Sequence, residues 1–301
     1  MDLPASVRGK LTQLARQEGS VVEEVFTRYA RERFLYRLAA SPYADRFILK
    51  GAVLFYVWSD RPHRATRDID FAGYGEFGLE MAQSLFRDIC TVTVEPDGLR
   101  FDPDSVRVEE IREDVDYRGV RARFLAFLGK ARLSLQVDVG VGDAVTPAPV
   151  QICYPTLIPD FGPPELRAYP RETVVAEKLH AIVKLGLPNS RMKDYYDLHV
   201  LAQEFSFSGV ALADAVRATF ARRKTPLPAD LPLGLSATFA SNREKQRQWA
   251  AFLERGGLAP DVELSLSDVV SAIRLFLSPL LSSIADGHPW DLNWSPRGPW
   301  S

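Results

Sequence analysis

The chain has 301 residues, 46% of them hydrophobic and 25% charged, ordinary proportions for a globular protein with one large core or two modest ones. A net charge of −2 excludes a polycation that grips nucleic acid through a global field, so any such contact needs a local basic patch. Two cysteines, Cys90 and Cys153, form neither a CxxC pair nor a zinc framework and read as free thiols of a reducing compartment.

The amino-terminal stretch is charged and has no apolar h-region, so no secretory signal is read there. No apolar run reaches the roughly 18 residues that a membrane helix needs. The expected address is the cytoplasm, with no membrane partner. Residues 5–40 read as helix, with Val7, Leu11 and Leu14 at helical spacing. A fresh start follows at Gly19-Ser20, where Ser20 and Glu23 form a capping box. This part, 1–40, reads as scaffold.

Residues 41–165 carry a mixed pattern. Phe47-Ile48-Leu49 is a short apolar run that breaks at Gly51, and Ala52 to Trp58 reads as a short helix. Asp68 to Phe71 is strand-like, and a helix is expected from Glu76 to Cys90. Three strands are expected at Ser105–Glu110, Gly119–Leu128 and Arg132–Val139. In the last of these Leu133, Leu135 and Val137 alternate with Ser134, Gln136 and Asp138. Helix followed by antiparallel-looking strands predicts an α+β sheet domain. A proline-rich passage, Pro147–Pro170, reads as a separator. Helices are then expected to begin near Glu172, Arg191, Gly209, Asn242 and Ser267, and the tail GHPWDLNWSPRGPW reads as an irregular strap.

Three clusters carry chemistry. On a strand, side chains two apart share a face, so Asp68 and Asp70 present two carboxylates side by side while Ile69 points inward. Such a pair is tolerated when a cation sits between, and magnesium, or manganese, suits hard oxygen ligands shared with phosphates. Asp-X-Asp is common, and alone it is weak. Its placement adds to it: Gly51 opens a helix whose free N–H groups suit a phosphate, and Arg61, His63, Arg64 and Arg67 lead into the pair.

The second feature is Asp138, on the polar face of its strand, either a solvated residue or a third acid near the metal that helps take a proton. The third is RETVVAEKLHAIVKLG followed by NSRMKDYYDLHVL. Lys178 flanks an apolar stripe and could simply snorkel. Asp194 and Asp197, at i and i+3, could simply compensate a helix dipole. Glu177 is available for an i,i+3 or i,i+4 pair on its own helix.

Taken in order, LKGA, RATRDID, QVDVG, AEKLHAIVK and RMKDYYDL resemble the AbiEii/AbiGii nucleotidyltransferase toxins, a MenT-like group within the DNA polymerase β-like superfamily. The resemblance runs from about Phe47 to Leu201. It implies a polymerase β-like nucleotidyltransferase core with a mixed or antiparallel sheet, and a carboxy-terminal helical domain, 166–301, that completes the site. It implies Asp68 and Asp70 as magnesium ligands and Lys50 and Gly51 as the nucleotide-cradling turn; Thr66 and Arg67, just ahead of the acidic pair, are expected beside the nucleotide on their position in the sequence. Lys178 would contact the triphosphate and Asp194 would be the essential acid of the last motif, supported by Arg191, Lys193 and Asp197. One departure is visible: the family often has two glycines where this chain has Gly51-Ala52.

The implied function is a magnesium-dependent toxin of a toxin–antitoxin or phage-defence system that transfers NMP from an NTP to RNA, above all the 3′ end of tRNA, blocking translation. A cognate antitoxin is the implied partner, and a monomer the expected state. The RNA would land on Arg61, Arg64, Arg67, Arg222, Arg223, Lys224, Arg243, Lys245 and Arg247, although these also read as solvated helix faces. Thr66 is expected on the strand face of the carboxylates, where a phosphate added by the antitoxin would repel the triphosphate. A nucleotidyltransferase acting on a protein or small molecule, and a non-catalytic nucleotide- or RNA-binding protein on the same fold, are the competing readings. A metal-dependent phosphohydrolase is disfavoured by Lys178 and the KD motif.

Overall fold

A computed structural model describes all residues except 1, 60–63, 65, 67, 76, 115–116, 257 and 259–263, and the side chains of 112–114 and 117–118 as well. The chain forms two compact units. One comprises Met1–Pro62, Thr66–Gly142 and Val150–Ala168; the other comprises His63–Ala65, Asp143–Pro149 and Tyr169–Ser301.

The first unit begins with α1 (Leu3–Glu18) and α2 (Val22–Ala39). The expected break is present, but the capping box is not. Gly19 adopts φ +66°, and Ser20 donates its N–H to the Ala15 carbonyl at 2.9 Å, closing α1. Ser20 is thereby committed to the helix behind it, and Val21 starts α2 with no side-chain cap.

Next come β1 (Phe47–Lys50), a 3-10 turn (Gly51–Leu54), the one-turn α3 (Phe55–Trp58) and β2 (Asp68–Gly73). α4 (Leu79–Thr91), β3 (Leu99–Asp114), β4 (Tyr117–Leu128), β5 (Ala131–Val141), β6 (Val150–Cys153) and β7 (Glu165–Ala168) follow. The proline-rich passage is therefore more than a separator, since it contributes two four-residue strands.

The seven strands form one mixed sheet in the order β3-β4-β5-β2-β1-β7-β6. β2 runs parallel to β5 and antiparallel to β1, and β1 runs parallel to β7. The pleat sends Leu49, Ile69, Phe71, Val120, Ala122, Phe124, Val137 and Val139 to one buried face. Phe34 of α2 and Phe86 of α4 cover it, with the Phe34 and Phe124 rings 4.9 Å apart. The opposite face carries Lys50, Asp68, Asp70, Gln136, Asp138, Arg121 and Arg123.

α2 is also buried on its charged positions. Arg37 grips Asp97 with contacts of 2.6 and 3.1 Å, and Arg33 donates to the Gly162 carbonyl at 3.0 Å. Its periodicity hid these residues, because a charged residue in a helix normally reads as an exposed face.

In the second unit the helices are α5 (Arg171–Leu185), α6 (Met192–Glu204), α7 (Gly209–Arg222), the short α8 (Ala237–Ala240), α9 (Arg243–Arg255) and α10 (Leu266–Ala285). Two-residue strands β8 (Phe207–Ser208) and β9 (Asn293–Trp294) pair antiparallel, so the tail strap is partly ordered as a ladder. α10 corrects one expectation, for its 20 residues are long and apolar enough to cross a membrane by length and composition. Its buried positions, Val269, Val270, Ile273, Phe276, Leu277, Leu280, Leu281 and Ile284, follow the helical period and mark a core helix of this unit.

Candidate functional site

Two groups of the expected residues take shape, one in each unit. In the first unit, β2 gives Asp68 and Asp70 the shared face that alternation predicts, with Ile69 fully buried between them. The register then sets Lys50 opposite Asp70 on one side and Asp138 opposite Asp70 on the other. Asp138 is gripped by Arg121, Nε to Oδ1 and Nη2 to Oδ2 both at 2.7 Å. That bidentate pair occupies both carboxylate oxygens, which disfavours Asp138 as a ready proton acceptor and suits it to screening charge beside Asp70.

Gly51 has a reason that differs from the one expected. Its φ is +77°, and a Cβ there would stand 2.9 Å from both Cβ and Cγ of Asp70. Only glycine lets the Asp70 carboxylate approach the turn so closely. The turn is a four-residue 3-10 segment running into a one-turn helix, too short to offer the phosphate-receiving helix terminus expected from the sequence. Ala52, where the family often has a second glycine, is buried.

Thr66 lies ahead of β2, which begins at Asp68, so alternation does not place its hydroxyl on the carboxylate face. Its carbonyl accepts from the Nη1 of Arg31. Arg61, His63 and Arg67 lie outside the described residues.

The second group is built on α5 and α6. Lys178 on α5 donates to Asp194 Oδ1 and Asp197 Oδ2, each at 2.7 Å. Arg191 Nε reaches Asp194 Oδ2 at 2.6 Å, and Arg64 spans Asp197 with contacts of 2.7 and 2.9 Å. Both aspartates are buried, so neither is a mere dipole compensator, and Lys178 points inward instead of snorkelling. Burial alone would lower the Lys178 ammonium, but Asp194 and Asp197 outweigh it and hold it above the ordinary lysine value. Burial alone would raise Asp194, but Lys178 and then Arg191 outweigh that and hold it low. Among the described residues, Lys178, Arg191 and Arg64 gather around Asp194 and Asp197, a cationic grouping of the kind that suits a phosphate oxygen. Lys193 is exposed on α6.

Beside this cluster, Glu177 meets partners from outside its own helix. It accepts from the Tyr169 hydroxyl at 3.2 Å and pairs with Arg223 at 3.3 Å, and Asp143 shares both donors. These contacts also correct the landing surface. Arg223 and Arg64 are committed to carboxylates, and Lys245 is 3% exposed with its ammonium on the Asn189 carbonyl at 2.9 Å. Arg222, Lys224, Arg243 and Arg247 remain exposed.

The donor set fits a divalent ion of the magnesium kind held by two carboxylates and completed by phosphates or water. Among the described residues no three His, Cys, Asp or Glu side chains converge as an all-protein metal cage.

A family model described as nucleotidyl transferase AbiEii toxin, type IV toxin–antitoxin system, matches residues 33–272. No curated protein matches the chain at a significant level. Among solved structures, JHP933 from Helicobacter pylori is 14% identical with a TM-score of 0.46, covering 85% of this chain and 90% of its own. An H. pylori protein described as a nucleotidyltransferase has the same identity and TM-score, covering 85% of this chain and 93% of its own.

Proposed function

Because the chain belongs to the AbiEii nucleotidyl transferase toxins of type IV toxin–antitoxin systems, with the cognate antitoxin partner that such a system entails, we propose that it transfers NMP from an NTP to RNA, with the 3′ end of tRNA as acceptor and blocked translation as the result. The observation that carries this reading is the β2 face, where Asp68 and Asp70 stand in register with Lys50 and against Gly51.

In this reading Asp68 and Asp70 hold magnesium. When bound, the ion supplies charge neutralisation to the triphosphate. Gly51 keeps the Asp70 carboxylate in place by leaving room for it. Lys50, opposite Asp70, and Lys178, whose charge is secured by its two aspartates, offset the negative charge that accumulates on the departing pyrophosphate. Asp194, kept ionised by Lys178 and Arg191, orients the cations around it; Arg191 and Lys193 are assigned to the nucleotide's phosphates, with Thr66 and Arg67 beside the nucleotide. Asp138 stays in the account as a charge partner of Arg121 next to Asp70. The protein works as a monomer in the cytoplasm.

The test incubates the protein with each α-labelled NTP, magnesium and, in separate reactions, total tRNA, a small-molecule mixture and protein extract. Label is expected in tRNA. Label confined to protein or small molecules would overturn the RNA acceptor, and binding of NTP without transfer to any acceptor would overturn the enzyme.

A further inference from the structure

The first unit carries a partly open cavity of about 360 Å³, lined by Arg28 and Glu32 of α2, Tyr56 and Trp58 of α3, and Tyr154 and Leu157 of the segment after β6. That size is in the range of small-molecule sites. Its walls and floor differ in chemistry. Tyr56 and Trp58 are half-buried aromatic faces, and the Arg28 guanidinium lies 5.3 Å from the Tyr56 ring centre. Glu32 is 1% exposed, with Oε2 accepting the Leu157 N–H at 2.7 Å and Oε1 accepting from Arg33 Nη1 at 3.3 Å, which leaves the second lone pair of each oxygen for a ligand. Tyr154 is 92% buried, and among the described residues no hydrogen bond reaches its hydroxyl.

Arg31, the residue before Glu32, is the second anomaly. It is 4% exposed, its Nε has no partner, and among the described residues it meets no carboxylate. Its neighbours Arg33 and Arg37, by contrast, share Asp97. A buried guanidinium without a counter-ion is costly, and an anion within reach is what offsets that cost. Among the described residues Arg31 hydrogen-bonds to the Thr66 carbonyl, two residues ahead of Asp68. On the other side, Tyr56 and Trp58 follow Gly51 by at most about 14 Å of helix rise. The Arg31 charge also acts on the Tyr154 hydroxyl, which lines the cavity.

We propose that this cavity receives the base of a nucleotide, its ring against Tyr56 and Trp58 and its polar edge on Glu32 and Tyr154, with the phosphate side toward Arg31. The inference rests on the nucleotidyltransferase reading and adds the residues that choose the base. A simple anion would leave the aromatic walls unused, and an apolar ligand would leave Glu32 and Tyr154 unmatched. A base uses both, stacking on the rings and meeting a donor–acceptor edge. The base could come from the NTP or from the terminal nucleotide of the acceptor RNA.

Cys153 gives a readout that needs no activity: it is exposed and lines the same cavity, whereas Cys90 is buried. Alkylation of Cys153 by iodoacetamide is measured in the full chain with each of the four NTPs and, separately, with tRNA. One NTP, or tRNA, is expected to slow labelling at a concentration about 10-fold below the others. Trp58→Ala should raise that concentration about 10-fold, and Tyr154→Phe should level the preference among bases. Protection by NTP assigns the donor's base to the cavity, and protection by tRNA alone assigns the acceptor's. Unchanged labelling with every nucleotide and RNA, or protection unaffected in variants of native melting temperature, overturns the inference. If protection holds while no transfer occurs to any acceptor, the transfer reading fails and the cavity assignment stands.

Discussion

Gly51 and Asp70 act as one unit at the scale of single residues. A methyl at position 51 meets the Asp70 carboxylate and also forces a side chain into a left-handed backbone. Gly51→Ala is therefore expected to weaken apparent magnesium affinity by about 10-fold or more, read from the magnesium dependence of transfer. An unchanged dependence would separate Gly51 from the metal pair. The glycine was legible in the sequence, but the reason for it was not. The pattern KG before an acidic strand suggested a phosphate-receiving helix, and the packing of a carboxylate against a turn is visible only in three dimensions. Asp97 shows the same limit: it stands outside every motif yet anchors Arg33 and Arg37. Asp97→Asn leaves the buried Arg37 guanidinium short of a counter-charge and Arg33 with Glu32 alone, and urea unfolding should show a loss of about 3–5 kcal/mol. A loss below about 1 kcal/mol, the range of exposed pairs, would contradict that burial.

Among the elements, the strands with clean alternation were readable. β5 and β2 declare one polar and one apolar face, and their parallel pairing brings Asp70 and Asp138 level. β6 and β7 were hidden because each has four residues, lies among prolines and is held by partners distant in sequence. α2 is legible as a helix, but its buried charges are not, because charge at a helical position normally signals solvent. Its apolar side is the part that anchors the sheet. Phe34 is fully buried against Phe86, Phe101 and Phe124, so Phe34→Ala should cost about 3–5 kcal/mol in chemical unfolding. A cost near that of a surface substitution would mean that α2 does not close the core.

For the whole molecule, pH links two buried groups of opposite sign. Burial, reinforced by Asp97, pushes the Glu32 carboxyl from 4.5 up to about 7. Its contribution to stability is thus complete below pH 4.5 and lost as pH rises through 7, a span worth on the order of 3 kcal/mol. Burial and the Arg223 charge push His180 from 6.5 down to about 4, so its contribution is complete above pH 6.5 and lost as pH falls through 4. The windows overlap with opposite slopes, and the wild-type curve alone hides both. Subtracting the Glu32→Gln curve from the wild-type curve isolates Glu32: the variant should gain on the wild type as pH rises from 4.5 to 7. Parallel curves would show that Glu32 titrates at its ordinary value.

The central claim is that the Asp68–Asp70 face of β2 serves nucleotide transfer to the 3′ end of tRNA. The most direct measurement offers labelled NTP and magnesium to intact tRNA and to tRNA whose terminal ribose has been opened by periodate, with wild type and Asp68→Ala side by side. The account predicts label in intact tRNA, none in oxidised tRNA, and a fall of about 100-fold or more in a folded Asp68→Ala variant. Equal labelling of both tRNAs, or undiminished labelling by Asp68→Ala, would contradict it.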